Sequence, residues 1–390
     1  MKAVIVGAGH RGAIYAQYAE FHPQVMQITA LVEPCPDVRE AFAARYGLAD
    51  DRVFASFDSF IAAPRMADAV IISTPDALHF SQTMASLEAF YNVLLEKPIA
   101  QSYAECLQIQ ALAHKMALMV GVCFPLRYHP VCQRTKELVR QGAIGRLVSI
   151  NHTEYIGVER MIHNFVRGAC SRVASSGPLL LTKSCHDLDY IVALSNARCR
   201  TAYSVGSLSW FRAENAPQGS AFRCIDCSVE GECPFSAVEI YRRRGHWLRH
   251  FRDTTPGGIE RELAGGPYGR CVYHADNDVW DNQVLAMEME NGVSVSFSLN
   301  ALTTLDKRRT HLMGSEGEIL VDENFDHLFL RRFIDHSEEV FDFGDLSDKC
   351  HAGADWQLVE HFVEAFHDGS YSDLEISIDR AIESHRIAFL

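Results

Sequence analysis

The opening segment KAVIVGAGHRGAIYAQYAE limits the fold more than any other stretch. Val4, Ile5 and Val6 make a continuous β-branched run, Gly7, Gly9 and Gly12 follow at GxGxxG spacing, and Ala13 to Glu20 continues in helix formers. Strand, tight turn and helix in that order begin a βαβ unit that binds a dinucleotide. The first glycine supplies the backbone angles of the turn, the second lets a pyrophosphate approach the main chain, and the third lets the helix pack closely on the strand. The helix N-terminus then offers free N–H groups and a positive dipole to the phosphates. His10 and Arg11 lie within the same turn.

A second strand, QITALVEP, ends at Glu33, about 20 residues further on, where a carboxylate accepts the adenosine ribose hydroxyls. A carboxylate there repels a 2′-phosphate, so NAD is expected over NADP. Arg11 and Arg39 keep NADP open.

Helical and strand patterns then alternate. Val38–Tyr46, Ser81–Phe90 and Ala104–Lys115 read as helices, and Val53–Phe54, Ala67–Ser73, Asn92–Leu95 and Leu118–Val122 read as strands. This is a doubly wound α/β sheet, expected to occupy residues 1–123. Ligands sit at the carboxyl ends of the strands of such sheets. Two polar groups fall there, Thr74-Pro75-Asp76 and Glu96-Lys97-Pro98. A lysine at a strand end faces the cofactor crevice, and desolvation is expected to lower its pKa toward a value useful in proton transfer. An isolated strand-end lysine would more simply snorkel to solvent.

The formal net charge of −14 excludes nucleic acid as an expected partner. Residues 1 to 9 read as a first strand, so no secretory leader is expected, and no apolar run approaches the roughly 20 residues that span a bilayer. A cytoplasmic protein follows. Twelve cysteines in 390 residues are too sparse for a disulfide scaffold, and a clustered subset points to metal.

The order and spacing of six segments resemble the Gfo/Idh/MocA oxidoreductases, the glucose-fructose oxidoreductase and inositol dehydrogenase group. They are GAGHRG (7–12), STPDALH (73–79), LEKPIA (95–100), RYHP (127–130), GAIGRLVSI (142–150) and SCHDLD (184–189). The resemblance implies an N-terminal Rossmann domain and a C-terminal domain, 124–390, with an open, mostly antiparallel sheet. It further implies a homodimer or homotetramer formed through that sheet. On the same resemblance Lys97 matches a lysine that contacts the reacting hydroxyl, and His186 matches the catalytic histidine. Thr74, Pro75 and His79 match the loop under the cofactor, Glu96 an acid beside the nicotinamide ribose, and Arg127 a position near the nicotinamide amide.

The chain departs from the family pattern in one place. Many members carry an aspartate four residues before the histidine, and here Thr182 occupies that position with Lys183 after it. A threonine side chain cannot charge-balance a lysine. Asp187 is a candidate replacement, although neighbouring helical residues point about 100° apart. Lys183, three residues before His186, is expected to share its face and reach the site. Alternatively, His186, Asp187 and Asp189 form an ordinary acidic first turn of a helix.

The segment RCIDCSVEGECPFSA places Cys224, Cys227 and Cys233 in a C-x2-C-x5-C pattern, whose first pair lets two thiolates reach one tetrahedral zinc at about 2.3 Å. Cys271 is the candidate fourth ligand, with His246, His250 and His274 behind it; metal-free cysteines and, more remotely, an iron–sulfur cluster are the other readings. Residues 215–274 are long for a connection and are expected to form an insertion that lids the substrate. Beyond them Asp276, Asn277, Asp278 and Asp281 are either sugar-binding groups or turn residues. Gln283–Leu302 alternates around Asn291-Gly292 as a hairpin, and Asp355–His367 is an amphipathic helix.

The expected function is hydride transfer between a sugar, sugar derivative or polyol hydroxyl and NAD(P). The alternative is an NAD-dependent glycosidase that oxidises, eliminates and re-reduces. A third reading is a nucleotide-sensing regulator without turnover.

Overall fold

The computed structural model describes residues 1–346, 350–371 and 374–390. Six strands form the first sheet: β1 (Lys2–Val6), β2 (Gln27–Val32), β3 (Val53–Phe54), β4 (Ala69–Ile72), β5 (Asn92–Leu95) and β6 (Val120–Val122). All pairs are parallel and the order is β3-β2-β1-β4-β5-β6. The strands are largely apolar because helices cover both faces, so β1, β4 and β5 bury nearly every side chain. The order reverses between β1 and β4, and the crevice outside their carboxyl ends is where such sheets take ligands.

Eight further strands build the second sheet: β7 (Leu147–Gly157), β8 (Cys199–Ser207), β9 (Asn282–Met289), β10 (Ser294–Thr303), β11 (Lys307–Gly314), β12 (Gly317–Val321), β13 (His327–Arg332) and β14 (Glu338–Asp342). Their order is β14-β13-β12-β11-β7-β10-β9-β8, antiparallel except for the β7–β10 pair. Alternation in β9 and β10 is strict, with one face packed on helices and the other exposed. The hairpin at Asn291-Gly292 forms as expected, with Gly292 at φ +84°.

Two apolar cores result, one under each sheet. The first also takes in the end of the chain: Leu358 and Phe362 of the Ala354–Asp368 helix, with Leu374, Ile376 and Ile378, pack on it. The Val122 amide donates to the Ile376 carbonyl at 2.8 Å, so the C-terminal segment runs beside β6. Between β8 and β9, the stretch 208–281 contains short helical turns and the Pro256–Gly265 helix, with no strand among its residues.

Candidate active site

The glycine turn has the shape of a phosphate cradle. Gly7 has φ +88°, and a Cβ on it would stand 2.8 Å from the Ser73 carbonyl oxygen. A Cβ on Gly12 would fall 2.0 Å from the Gly7 oxygen, so the His10–Phe21 helix can approach β1 only as a glycine. At Gly9 nothing lies within 4 Å of the equivalent position, leaving the main chain open where a pyrophosphate would approach. Glu33 follows β2 and is nearly buried; its carboxylate accepts the Ala8 amide at 2.8 Å and the Cys35 amide at 2.9 Å. Arg39 donates to the Glu33 and Pro34 carbonyls, keeping a cation at the adenosine end. These residues fit a dinucleotide.

Arg11 turns inward. Its guanidinium meets Glu96 at 2.6 Å and Asp355 at 2.6 Å, and Tyr15 Oη completes the cluster by donating to Glu96 at 2.5 Å. Glu96 is thereby held below the ordinary carboxylate range against its burial, chiefly by Arg11 and then by Lys97. Arg127 is likewise committed: it grips Asp189 with two bonds of 2.7 and 2.8 Å and donates to the Glu375 carbonyl. Both arginines fasten elements together and do not extend into the crevice. The sign of charge in the sequence could not reveal this, because their acid partners lie 62 to 344 residues away.

Lys97 stands just past β5, with the Lys97–Pro98 peptide bond cis. Its Nζ donates to the Thr182 carbonyl at 2.8 Å. The Thr182 side chain instead caps the Ser176 carbonyl at 2.6 Å. So the position that lacks the family's aspartate still holds the lysine, through its backbone oxygen. Burial works against the Lys97 charge, but Cys185, Asp76, Glu96 and Cys170 outweigh it and raise its pKa above the ordinary lysine value. This overturns the expectation of a depressed lysine, because the acidic neighbours that the fold brings to the amine outweigh its desolvation. Burial pushes the Cys170 and Cys185 thiols up to about 11 and about 12, so at neutral pH they are protonated and the charge that holds the ammonium is that of the Asp76 and Glu96 carboxyls.

Asp76 faces the same lysine. Burial raises its pKa, with Lys97 and His79 pulling the other way, and its Oδ2 is enclosed without a hydrogen-bond partner. His79 is fully buried between the Thr74 carbonyl (2.9 Å) and the Pro98 carbonyl (2.6 Å), joining the two strand-end loops. Thr74 Oγ1 is used by Gln82, and Pro75 is exposed. From the far end of the chain, His385 accepts the Ile99 amide at 2.8 Å and so props the turn after Lys97. Burial holds its pKa down to about 3, which keeps the ring neutral. No motif marks His385, which lies 288 positions beyond Lys97.

The helix expected through 182–189 is broken. Leu179–Thr182 and Cys185–Ser195 are separate helical segments with Lys183 and Ser184 in the turn between them. Lys183 therefore does not share a helical face with His186; its Nζ bonds Glu154 of β7. His186 opens the second helix, half-buried, with its ring edge-on to Phe124 at 5.6 Å. Asp187 does not stand in for the missing aspartate. It is fully buried, facing β7 and β11, where His152 (2.8 Å) and Arg308 (2.6 Å) take its carboxylate. Despite burial, Arg308 and His152 hold Asp187 well below the ordinary range.

Asp276 pairs with Arg270 at 2.8 Å, and Asp278 accepts the Val173 amide at 2.7 Å, so Asp278 braces the 170–176 loop. Asp281 is fully buried and caps the Ser209 and Trp210 amides. His163, from the Met161–Arg167 turn, stacks on Trp247 at 5.1 Å and on Tyr268 at 4.5 Å. Desolvation, then Arg249 and His10 of the glycine turn, lower the His250 pKa. Cys224, Cys227, Cys233 and Cys271 line one small cavity. Among the described residues no helix is long and apolar enough to cross a membrane.

A glycine turn, an acid at the end of β2 and a lysine at the end of β5, beside a second sheet, define a two-domain fold of the Rossmann type. Residues 1–124 match the oxidoreductase family described as having an NAD-binding Rossmann fold. A putative oxidoreductase, YteT, of Bacillus subtilis is 24% identical over 269 residues, covering 66% of this chain and 60% of that protein. An inositol 2-dehydrogenase of Corynebacterium glutamicum is 27% identical over 200 residues, covering 51% and 55%. The chain thus spans at most 60% of the length of these curated relatives. The crystal structure of an inositol dehydrogenase homolog complexed with NAD+ from Azotobacter vinelandii superposes with TM-score 0.71 at 17% identity, covering 99% of this chain and 92% of that one. The Rossmann domain thus matches the Gfo/Idh/MocA oxidoreductase family, and the whole chain shares the two-domain fold of that solved structure.

Proposed function

We propose that the chain is an NAD-dependent dehydrogenase that moves a hydride between a CH–OH carbon of a sugar or polyol and the nicotinamide. The observation that carries this reading is the Lys97 ammonium, fixed on the Thr182 carbonyl and facing Asp76 at the carboxyl end of β5. The names of the inositol dehydrogenase relatives support the substrate class. NAD supplies the hydride acceptor or donor; the protein supplies position and proton management.

In this proposal the amides of the Gly9–Gly12 turn bind the pyrophosphate, and Glu33 binds the adenosine ribose. The Thr74–Pro75 loop, tied to Pro98 through His79, forms the floor under the nicotinamide. Lys97 Nζ exchanges the proton of the reacting hydroxyl, and His186 and Lys183 orient the substrate from the second domain. A raised Lys97 pKa keeps the amine in its ammonium form at neutral pH, the protonation state that reduction of a carbonyl needs, although it makes that ammonium a weaker acid. Oxidation requires the amine, and a cationic ring beside it eases the loss of its proton. NADP is the lesser cofactor, given Glu33.

The protein is proposed to act in the cytoplasm as a homodimer or homotetramer. The outer face of β8 and β9 exposes Tyr203, Val205 and Val284, a surface suited to a second copy. Domains at 1–123 and 124–390 and an insertion at 215–274 remain the proposed division. A structural zinc at the four cysteines is a proposal with its own test, independent of hydride transfer.

A panel of inositols, sugars and aryl glycosides assayed with NAD+ and NADP+ tests the reading. Stoichiometric NADH from a polyol or sugar is expected. Aglycone release without net NADH would identify the glycosidase instead, and NAD binding without turnover the regulator.

A further inference from the structure

The second domain buries a positive charge that no acid balances. Arg167 ends the Met161–Arg167 helical turn and is fully buried. Its Nε donates to the Arg270 carbonyl at 2.7 Å and its Nη2 to the Phe235 carbonyl at 2.7 Å, while Nη2 also reaches Cys224 Sγ at 3.5 Å. Nη1 has no partner. Among the described residues no carboxylate pairs with this guanidinium within 4.0 Å. An uncompensated buried cation is costly, so an anion belongs beside it.

The groups able to become that anion are cysteines. Cys224, Cys227, Cys233 and Cys271 line one closed cavity of about 10 Å³, room for roughly one water-sized sphere. Backbone bonds bring them together. The Cys271 amide donates to the Phe222 carbonyl at 2.9 Å, and the Arg223–Arg270 bridge sets Cys224 beside Cys271. The Cys227 amide closes the two-residue turn on the Cys224 carbonyl, and the Cys233 amide turns back on Glu230.

We infer that these four cysteines form a tetrathiolate zinc site whose charge Arg167 offsets. A divalent ion with four thiolates is doubly negative, and the guanidinium cancels half of that. Four neutral thiols would leave the arginine unbalanced. Binding releases the four thiol protons to solvent, with no change of oxidation state. Zinc suits a closed, all-sulfur tetrahedral set. The sulfurs must contract around the ion: among the described residues, three-way ligand spacing within 4.8 Å occurs only at Asp322, Asp326 and His327. Cys227 and Cys233 are half-buried and follow short helical turns. The ion then clamps the 224–233 loop to the chain that follows the Pro256–Gly265 helix, beside the Tyr241, Phe251 and Tyr268 rings.

The full chain, purified without chelator, is assayed for metal by mass spectrometry and for reactive thiols before and after mercurial release. One zinc per chain and four thiols unmasked with it are expected. Cys227→Ser should lose the zinc to a chelator that the native protein resists. Arg167→Met should retain zinc about 10- to 100-fold less tightly, the usual effect of removing a hydrogen-bonding partner of a ligand, and Arg167→Lys should recover part of that. Absence of zinc after growth in zinc-supplemented medium overturns the inference, as does iron with visible charge-transfer absorption, or zinc undiminished in Cys227→Ser. If Arg167→Met fails to fold, the Cys227→Ser measurement decides alone. NAD binding, read separately by fluorescence, should persist in Cys227→Ser.

Discussion

Replacing Arg308 by methionine removes one cation from a buried cluster of four charges. Arg308 donates to Asp187 at 2.6 and 3.2 Å and to Glu154 at 3.1 Å, and those two carboxylates are 0% and 1% exposed. With Lys183 the cluster holds two cations and two anions; His152 is the remaining neighbour of Asp187. The variant leaves one carboxylate in excess, and breaking a buried pair costs about 3–5 kcal/mol. The Arg308 side chain is 21% exposed, so some water reaches the gap, and the lower end, about 3 kcal/mol, is expected. Urea unfolding followed by circular dichroism measures it. Arg308→Lys should recover part of the loss, keeping the charge without the two-pronged geometry. A loss below about 1 kcal/mol at neutral pH, the value of a surface pair, would refute the reasoning.

Three further outcomes follow. Glu33→Ala should shift the ratio of kcat/KM for NAD and NADP by about 10- to 100-fold toward NADP, since a bond to a charged group contributes about 1.5–3 kcal/mol; an unchanged ratio would place the ribose elsewhere. His385 and His163 are neutral in the fold, with pKa values held down to about 3 by burial, against an ordinary 6.5. Their stabilisation is complete above pH 6.5 and is lost as pH falls toward 3, at up to about 1.4 kcal/mol per pH unit for each group. His385→Leu should therefore flatten the acid limb of stability against pH, and an unchanged slope would contradict this. Because acids raise the Lys97 pKa, oxidation should still be gaining rate at the alkaline end of its pH profile, whereas a profile flat above neutrality would count against amine catalysis.

Much of the first sheet was legible because its signals are local. The glycine spacing, the apolar strands and Glu33 at the end of β2 are fixed within some 30 residues, and periodicity reads such segments well. Lys97 was identifiable from its place after β5, but its charge state was not, since Asp76, Cys170 and Cys185 meet it only in the fold. Arg11 and Arg127 failed for a related reason: a cation near a motif looks like a ligand contact until its distant acid is known. The broken helix at Lys183 misled the spacing argument, which assumes uninterrupted turns. His385, Arg308 and Arg167 carry no motif and act through contacts far along the chain.

The most direct test of the hydride-transfer proposal compares the native chain with Lys97→Met on the best polyol or sugar of the panel, following NADH at 340 nm together with NAD affinity. A fall in kcat of about 100- to 10,000-fold, with NAD binding retained, is the expected result for loss of the group that exchanges the hydroxyl proton. Undiminished turnover in Lys97→Met would contradict it.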